Sequence, residues 1–202
     1  MVIQLECRPG LSEEDVLRLK AGDSVEITGE LLTVRDATAQ RLADLLRSGA
    51  SLPVDLRGRV LYAVGPSPAR PGYVVGSAGP TTTERLVSFL PLFFREGVRA
   101  IIGKGELHGE IVDAFVTHKA LYLAAIGGLG ALLAKQVTAA EVVAFPELGP
   151  EAVFRFTVVN FPAVVVIDAF GRNLHETARQ AWRRIPQPSP PAAPGASAGV
   201  RG

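Results

Sequence analysis

Apolar residues along the chain follow two rhythms that take turns. Short β-rich runs at 2–5, 24–33, 60–64, 98–102 and 120–125 predict strands. Residues 38–46, 83–96 and 111–117 instead repeat apolar side chains at helical spacing, the second through Leu86, Phe89, Leu90 and Phe93 to a stop at Gly97. Gly127-Gly128 opens a further predicted helix running to about Lys135. Three more β-rich runs, 141–145, 153–159 and 163–167, are punctuated by Pro146-Glu147-Leu148-Gly149 and by Phe161-Pro162. Strands alternating with helices in the middle, with strand pairs at either end, predict an α/β fold built on a mixed, layered sheet. Residues 186–202 are almost wholly Pro, Ala, Gly and Ser, which predicts a disordered tail behind one domain covering 1–185.

Composition narrows the chemistry. At 202 residues and 48% apolar the chain can bury a sizeable core. Its 21 basic and 20 acidic residues give a formal net charge of +1, and the basic ones are scattered, which argues against nucleic acid as a partner. Cys7 is the single cysteine. That excludes a disulfide framework, a Cys-rich zinc module and an iron–sulfur cluster held by this chain alone, since such clusters take about three or four thiolates. The longest uncharged run ahead of the Pro-rich tail, 120–134, contains three glycines and is shorter than the roughly 18 residues of a spanning helix. A start without basic residues or a long apolar region makes the cytoplasm the expected compartment, with Cys7 reduced.

Three loops leave predicted strand ends with unusual content. Arg35-Asp36 opens a helix, where Asp36 suits an N-cap and Arg35 is either a solvated, Asp-paired arginine or a group that faces a ligand. Gly79-Pro80-Thr81-Thr82-Thr83-Glu84-Arg85 is a turn feeding a helix whose first turn is hydroxyls. A capping box accounts for one threonine; the other reading is a cradle for a carboxylate or phosphate at an open helix N-terminus, aided by Arg85. Gly103-Lys104-Gly105 follows a strand run that is apolar but for Arg99 and carries one of only four lysines, between glycines that let its backbone approach a ligand closely or simply turn.

Other motifs fall away on spacing. The Gly-Lys-Gly run lacks the P-loop pattern, and Gly127-Gly128-Leu129-Gly130 fails the dinucleotide fingerprint and reads as close helix packing. His108, His118 and His175 show no metal-ligand spacing, and Asp168 before Phe170-Gly171 reads as a turn.

The ordered series Ala21-Gly22-Asp23, Thr28-Gly29, Arg35-Asp36, Gly65-Pro66-Ser67-Pro68, Gly76 to Arg85, Gly103-Lys104-Gly105, Ile126-Gly127-Gly128, Glu147-Leu148-Gly149 and Phe161-Pro162 resembles the β subunit of class I, iron–sulfur fumarate hydratase and L-tartrate dehydratase, and the C-terminal domain of the single-chain enzymes. The resemblance implies a three-layer β/β/α "swivelling" domain that closes over a [4Fe-4S] cluster held by the cysteines of a separate α subunit. It implies a hydro-lyase active only with that subunit, most simply one interconverting malate and fumarate. Carried over by residue, Arg35, Thr82, Arg85 and Lys104 would bind the dicarboxylate, and Thr81 would be the catalytic proton acceptor. Two carboxylates call for two or more fixed cations, and arginine offers bidentate geometry. A threonine hydroxyl needs a neighbouring carboxylate to take its proton, which places that carboxylate on the partner.

One position departs from the family pattern. Where the family reads Arg-Asp-x-x-His this chain reads Arg35-Asp36-Ala37-Thr38-Ala39, with no histidine nearby to replace the missing one. The alternatives are therefore another hydroxy-dicarboxylate dehydratase β subunit, or a non-catalytic relative that binds an α-like partner.

Overall fold

The structure, a computed structural model, describes residues 1–183; the tail predicted from 186 onward lies outside the described residues. Seven strands are present among them: β1 Val2–Cys7, β2 Ser24–Val34, β3 Val60–Ala63, β4 Ala100–Gly103, β5 Leu121–Ala124, β6 Val137–Ala144 and β7 Val153–Ile167. The helices are α1 Glu13–Arg18, α2 Asp36–Arg47, α3 Leu90–Arg95, α4 Glu110–His118, α5 Gly130–Ala134 and α6 Leu174–Trp182. Strand order is β1-β2-β3-β4-β5-β7-β6, with β2 also paired to β7. β1 to β5 run parallel, whereas β7 is antiparallel to β2, β5 and β6. Because β7 bridges β2 and β5, the sheet folds back on itself and encloses a core.

Alternation along the short central strands explains the layers. Val60, Tyr62, Ala100, Ile102, Leu121 and Leu123 point into one apolar cluster, shared with Ile27, Phe156 and Phe161 inside the folded sheet. Their neighbours Leu61, Ala63, Ile101 and Tyr122 point the other way, against Leu42 of α2, Phe93 of α3 and Phe115 of α4. A strand buried on both faces must be apolar throughout, which is why these runs carry no polar alternation. Each buried Leu, Ile or Phe contributes about 1.5–3 kcal/mol, enough to fix where the strand ends fall. The result is the mixed α/β, sheet–sheet–helix arrangement expected above.

Several elements differ from their prediction. The helix expected over 83–96 is broken into a 3₁₀ turn, Thr83–Leu86, and α3. Pro91 is responsible: it cannot donate to the carbonyl four residues back and is tolerated only in the first turn of a new helix. Conversely, 153–167 is one strand and not two, running through Phe161-Pro162. A register shift opposite Ile27 to Gly29 accommodates the proline, Asn160 adopts φ 51°, and its amide donates to Thr28 Oγ1 at 3.1 Å. Finally, α1 and α6 escape the periodicity reading, although Ser12 and Asp15 form a capping box and Asn173 caps the His175 amide at 3.1 Å.

The expected turn at Asp168 is present and carries more than a turn. Its buried carboxylate accepts from the amides of Ala21, Phe170 and Arg172 and pairs with the Arg172 guanidinium, stitching the end of β7 to the α1–β2 connection.

α6 is held largely by charge. His108 lies between Glu106, 3.0 Å from Nε2, and Glu176, 3.3 Å from Nδ1, and Arg179 pairs with Glu106. Both ring nitrogens can donate only as imidazolium, so hydrogen bonds to Glu106 and Glu176 raise the His108 pKa above its ordinary 6.5. A raised folded-state value means that this contribution to stability is fully present below 6.5 and is lost as pH rises through the folded value. NMR titration should therefore place the His108 midpoint above 6.5, and Glu106→Gln should bring it down.

Candidate functional site

The parallel strands β2, β3, β4 and β5 end at one level, since Val34 pairs with Ala63, Tyr62 with Ile102 and Gly103 with Ala124. The segments that leave their carboxyl ends are therefore neighbours: Arg35, Gly65-Pro66, Lys104 and Ile126-Gly127. Ligand crevices in open parallel sheets form at this edge. An open groove of about 560 Å³ lies there, lined by Arg35, Ser67, Ser77, Lys104, Gly128 and Pro150 among others.

Arg35 takes the N-cap position of α2 in extended conformation, and Asp36, expected to be the cap, is the first helical residue. The capping acceptor comes from 114 residues away: Glu151 Oε2 receives the Ala37 amide at 2.8 Å. Thr38 Oγ1 donates to the Glu151 backbone carbonyl, so the helix start and the 3₁₀ turn Pro146–Glu151 are bolted together. Glu151 Oε1 also lies 3.5 Å from Arg35 Nε, with Asp36 Oδ2 at 3.7 Å. The buried Nε makes no hydrogen bond. The guanidinium is pressed against Gly65, where a Cβ would come within 2.7 Å of Nη1. Arg85 joins this group indirectly, its Nη2 2.9 Å from Asp36 Oδ2.

The threonine loop and the lysine loop are bonded to each other through their backbones. The Lys104 amide donates to Thr81 O at 3.2 Å, and the Thr83 amide donates to Lys104 O at 2.9 Å, leaving Thr82 bridged to Lys104. No side-chain cap forms at Thr82, and the element behind it is a single 3₁₀ turn. The helix-terminus cradle expected from the hydroxyl run is thus replaced by loop-to-loop pairing. Thr81 Oγ1 donates to Ala63 O at 3.2 Å, and its own amide donates to the same carbonyl at 2.7 Å.

Arg35 and Lys104 line the groove, Thr81 and Thr82 flank Lys104, and Arg85 stands beside them at Asp36. Among the described residues Lys104 has no carboxylate partner, whereas both arginines do. Of the Gly127-Gly128-Leu129-Gly130 run, from which close helix packing is expected, Gly130 at the start of α5 packs closely and Gly127 has a different purpose. A Cβ at Gly127 would meet Lys104 Cδ at 3.3 Å, so the glycine makes room for the lysine side chain, while Gly130 abuts the Gly79 backbone, its amide nitrogen 2.8 Å from where a Cβ would stand.

A family model described as Fumarase C-terminus matches residues 2–178. The chain belongs to this family. Relatives include the L(+)-tartrate dehydratase subunit beta of Methanocaldococcus jannaschii, 37% identical over 172 residues that make up 82% of this chain and 88% of that one. Fumarate hydratase 2 of Leishmania major is 36% identical over 76% of this chain, and the anaerobic class I fumarate hydratase of Escherichia coli is 35% identical over 75%. The chain spans 28% of the length of each of these two hydratases and most of the length of the tartrate dehydratase subunit.

Glu151 and Asp36 hold the arginines of this Fumarase C-terminus chain; an Asp-paired Arg35 is one of the two readings of the sequence, whereas sequence reading assigns Glu151 no such role. The only local signal was the Glu147-Leu148-Gly149 turn, which places a carboxylate two residues on. Ala39 is fully buried in the helix-side core, its amide bonded to Arg35 O at 2.7 Å, so no imidazole stands behind the groove at that position. The three histidines form no metal site: no group of three or more His, Cys, Asp or Glu able to hold a metal occurs among the described residues. No helix among them is long and apolar enough to cross a membrane.

Proposed function

We propose that this chain is the β subunit of a hydro-lyase that adds water to, or removes it from, a dicarboxylic acid, with fumarate and malate as the substrate pair. The observation that carries the reading is the groove at the ends of β2 to β5, in which Arg35 and an unpaired Lys104 face one space. Arg35 and Lys104 line the groove and Arg85 stands outside its lining, paired with Asp36, so against the carboxylates of Asp36 and Glu151 the three cations leave an excess of positive charge for an anionic ligand. Arg35 suits one carboxylate through its planar fork, held in place by Glu151, and Lys104 suits the other as a point charge.

Thr81 lines the approach to Lys104 as a hydrogen-bonding group. Its proton is directed to the Ala63 carbonyl. A backbone carbonyl cannot carry a proton away, so net transfer from carbon requires a carboxylate, and among the described residues none is bonded to Thr81. The partner α subunit supplies it in this reading, which makes the present chain half of an active site.

The iron–sulfur cluster that the resemblance implies does not fit this chain. Cys7 is its one thiol, fully buried and pushed up to about 12, chiefly by burial. The cluster accordingly belongs to the partner in this reading, and no residue here is assigned to it.

A second reading, an L-tartrate dehydratase β subunit, is favoured by one observation: the relative matched over 88% of its length is named as such a subunit. The anaerobically assembled pair of chains, presented with fumarate, L-malate and L-tartrate, separates them. A kcat/KM at least tenfold higher for malate and fumarate supports the first reading, and the reverse order supports the second.

A further inference from the structure

Behind the groove sits a buried hydroxyl relay that none of the roles above uses. Thr83 Oγ1 donates to the Tyr122 hydroxyl at 3.3 Å, and Tyr122 donates onward to Gly105 O at 2.8 Å. Thr83 and Tyr122 are both without exposed surface. Gly105 is the residue after Lys104 and has φ +92°, a left-handed backbone that turns the chain directly behind the lysine. On the other side the Lys104 backbone is fixed by Thr81 and Thr83, and Gly103 O receives the Ala125 amide at 2.9 Å. The one carbonyl of Gly103-Lys104-Gly105 held by a side chain is thus held by Tyr122. Burial raises the Tyr122 pKa to about 12, so the hydroxyl keeps its proton and donates across the working pH range.

We infer that Tyr122 is a positioning residue for Lys104: its hydroxyl, donating to the Gly105 carbonyl and accepting from Thr83, couples the lysine loop to the threonine loop and so sets where the ammonium group stands in the groove. Tyr122 contacts no substrate and acts through the loop. Its ring packs near Phe115, with centroids 6.4 Å apart, and this packing is independent of the hydroxyl. The two functions of the side chain are therefore separable.

The effect on ligand binding rests on the dicarboxylate reading above, whereas the effect on the loop does not. Tyr122→Phe keeps the ring and deletes the relay, leaving Gly105 O and Thr83 Oγ1 without their buried partner. Amide hydrogen exchange on the full chain should then show the Thr83 and Lys104 amides exchanging at least tenfold faster, with the Leu121 and Ala125 amides unchanged. In the assembled complex the same variant should raise KM for fumarate about tenfold with kcat within twofold, and should have no further effect in a Lys104→Ala background. Unchanged exchange at Thr83 and Lys104 overturns the inference whatever the substrate proves to be. So do Tyr122→Phe and Lys104→Ala effects that multiply. Released loop amides in a chain that binds no dicarboxylate would instead leave the positioning intact and refute the dicarboxylate reading. Thr83→Val, which removes the relay from its other end, should reproduce the exchange pattern.

Discussion

Lys104→Ala should lower kcat/KM of the assembled complex for its dicarboxylate by about 10- to 100-fold, carried mainly by KM. The size follows from a charge-assisted hydrogen bond worth about 1.5–3 kcal/mol, at roughly tenfold per 1.4 kcal/mol. Lys104 is singled out over the arginines because its charge is not already engaged by Asp36 or Glu151. The fold should survive, since the side chain is exposed and lies over glycines and not in either core. Steady-state kinetics on wild type and variant read the effect directly, and a KM within twofold of wild type would remove Lys104 from the binding site.

Gly103→Ala acts on the frame. Gly103 ends β4 between Ala124 and the threonine loop, and a Cβ there would run into Thr83 Oγ1 and stand 3.2 Å from Thr83 Cβ. Neither neighbour can retreat, because Thr83 is fully buried and bonded to both Lys104 O and Tyr122. Overpacking of this kind costs about 1–3 kcal/mol, and a domain of this size loses roughly 2–4 °C of Tm per kcal/mol. Thermal unfolding should therefore drop by about 2–12 °C. Thr83→Ala should recover part of that loss in the double variant by removing the oxygen in the way. A Tm within 1 °C of wild type would mean that the two loops are not packed as described.

Much of the frame was legible because buried parallel strands announce themselves: 60–64, 98–102 and 120–125 are apolar runs broken only by Arg99, and each became a central strand. The same holds for the glycine-marked loops at Gly103 and Gly127, which cluster because register places the ends of β2 to β5 at one level. What stayed hidden depends on contacts distant in sequence. Asp36 looked like the cap of α2 because capping is usually local, whereas the acceptor is Glu151, brought in by the β6–β7 connection. The hydroxyls of 81–83 looked like a helix terminus because no periodicity argument can foresee that they pair with Lys104. Tyr122 read simply as a strand residue; its hydroxyl acquires a role only when Thr83 and Gly105 arrive on either side. Pro91 is different, since it stood in plain sight as a helix breaker, and the apolar spacing around it was given too much weight.

In the proposed hydro-lyase reading, a buried Cys7 and the lack of any metal-capable His, Cys, Asp or Glu cluster among the described residues call, like the groove, for a second chain. The measurement that tests this most directly is the rate of fumarate hydration by the chain alone, by a cysteine-bearing α subunit alone and by the two assembled anaerobically. Turnover only in the assembled pair, with kcat/KM lowered about 10- to 100-fold by Lys104→Ala, is the predicted result. An assembled pair that hydrates fumarate equally well with Arg35 and Lys104 both replaced by alanine would contradict it.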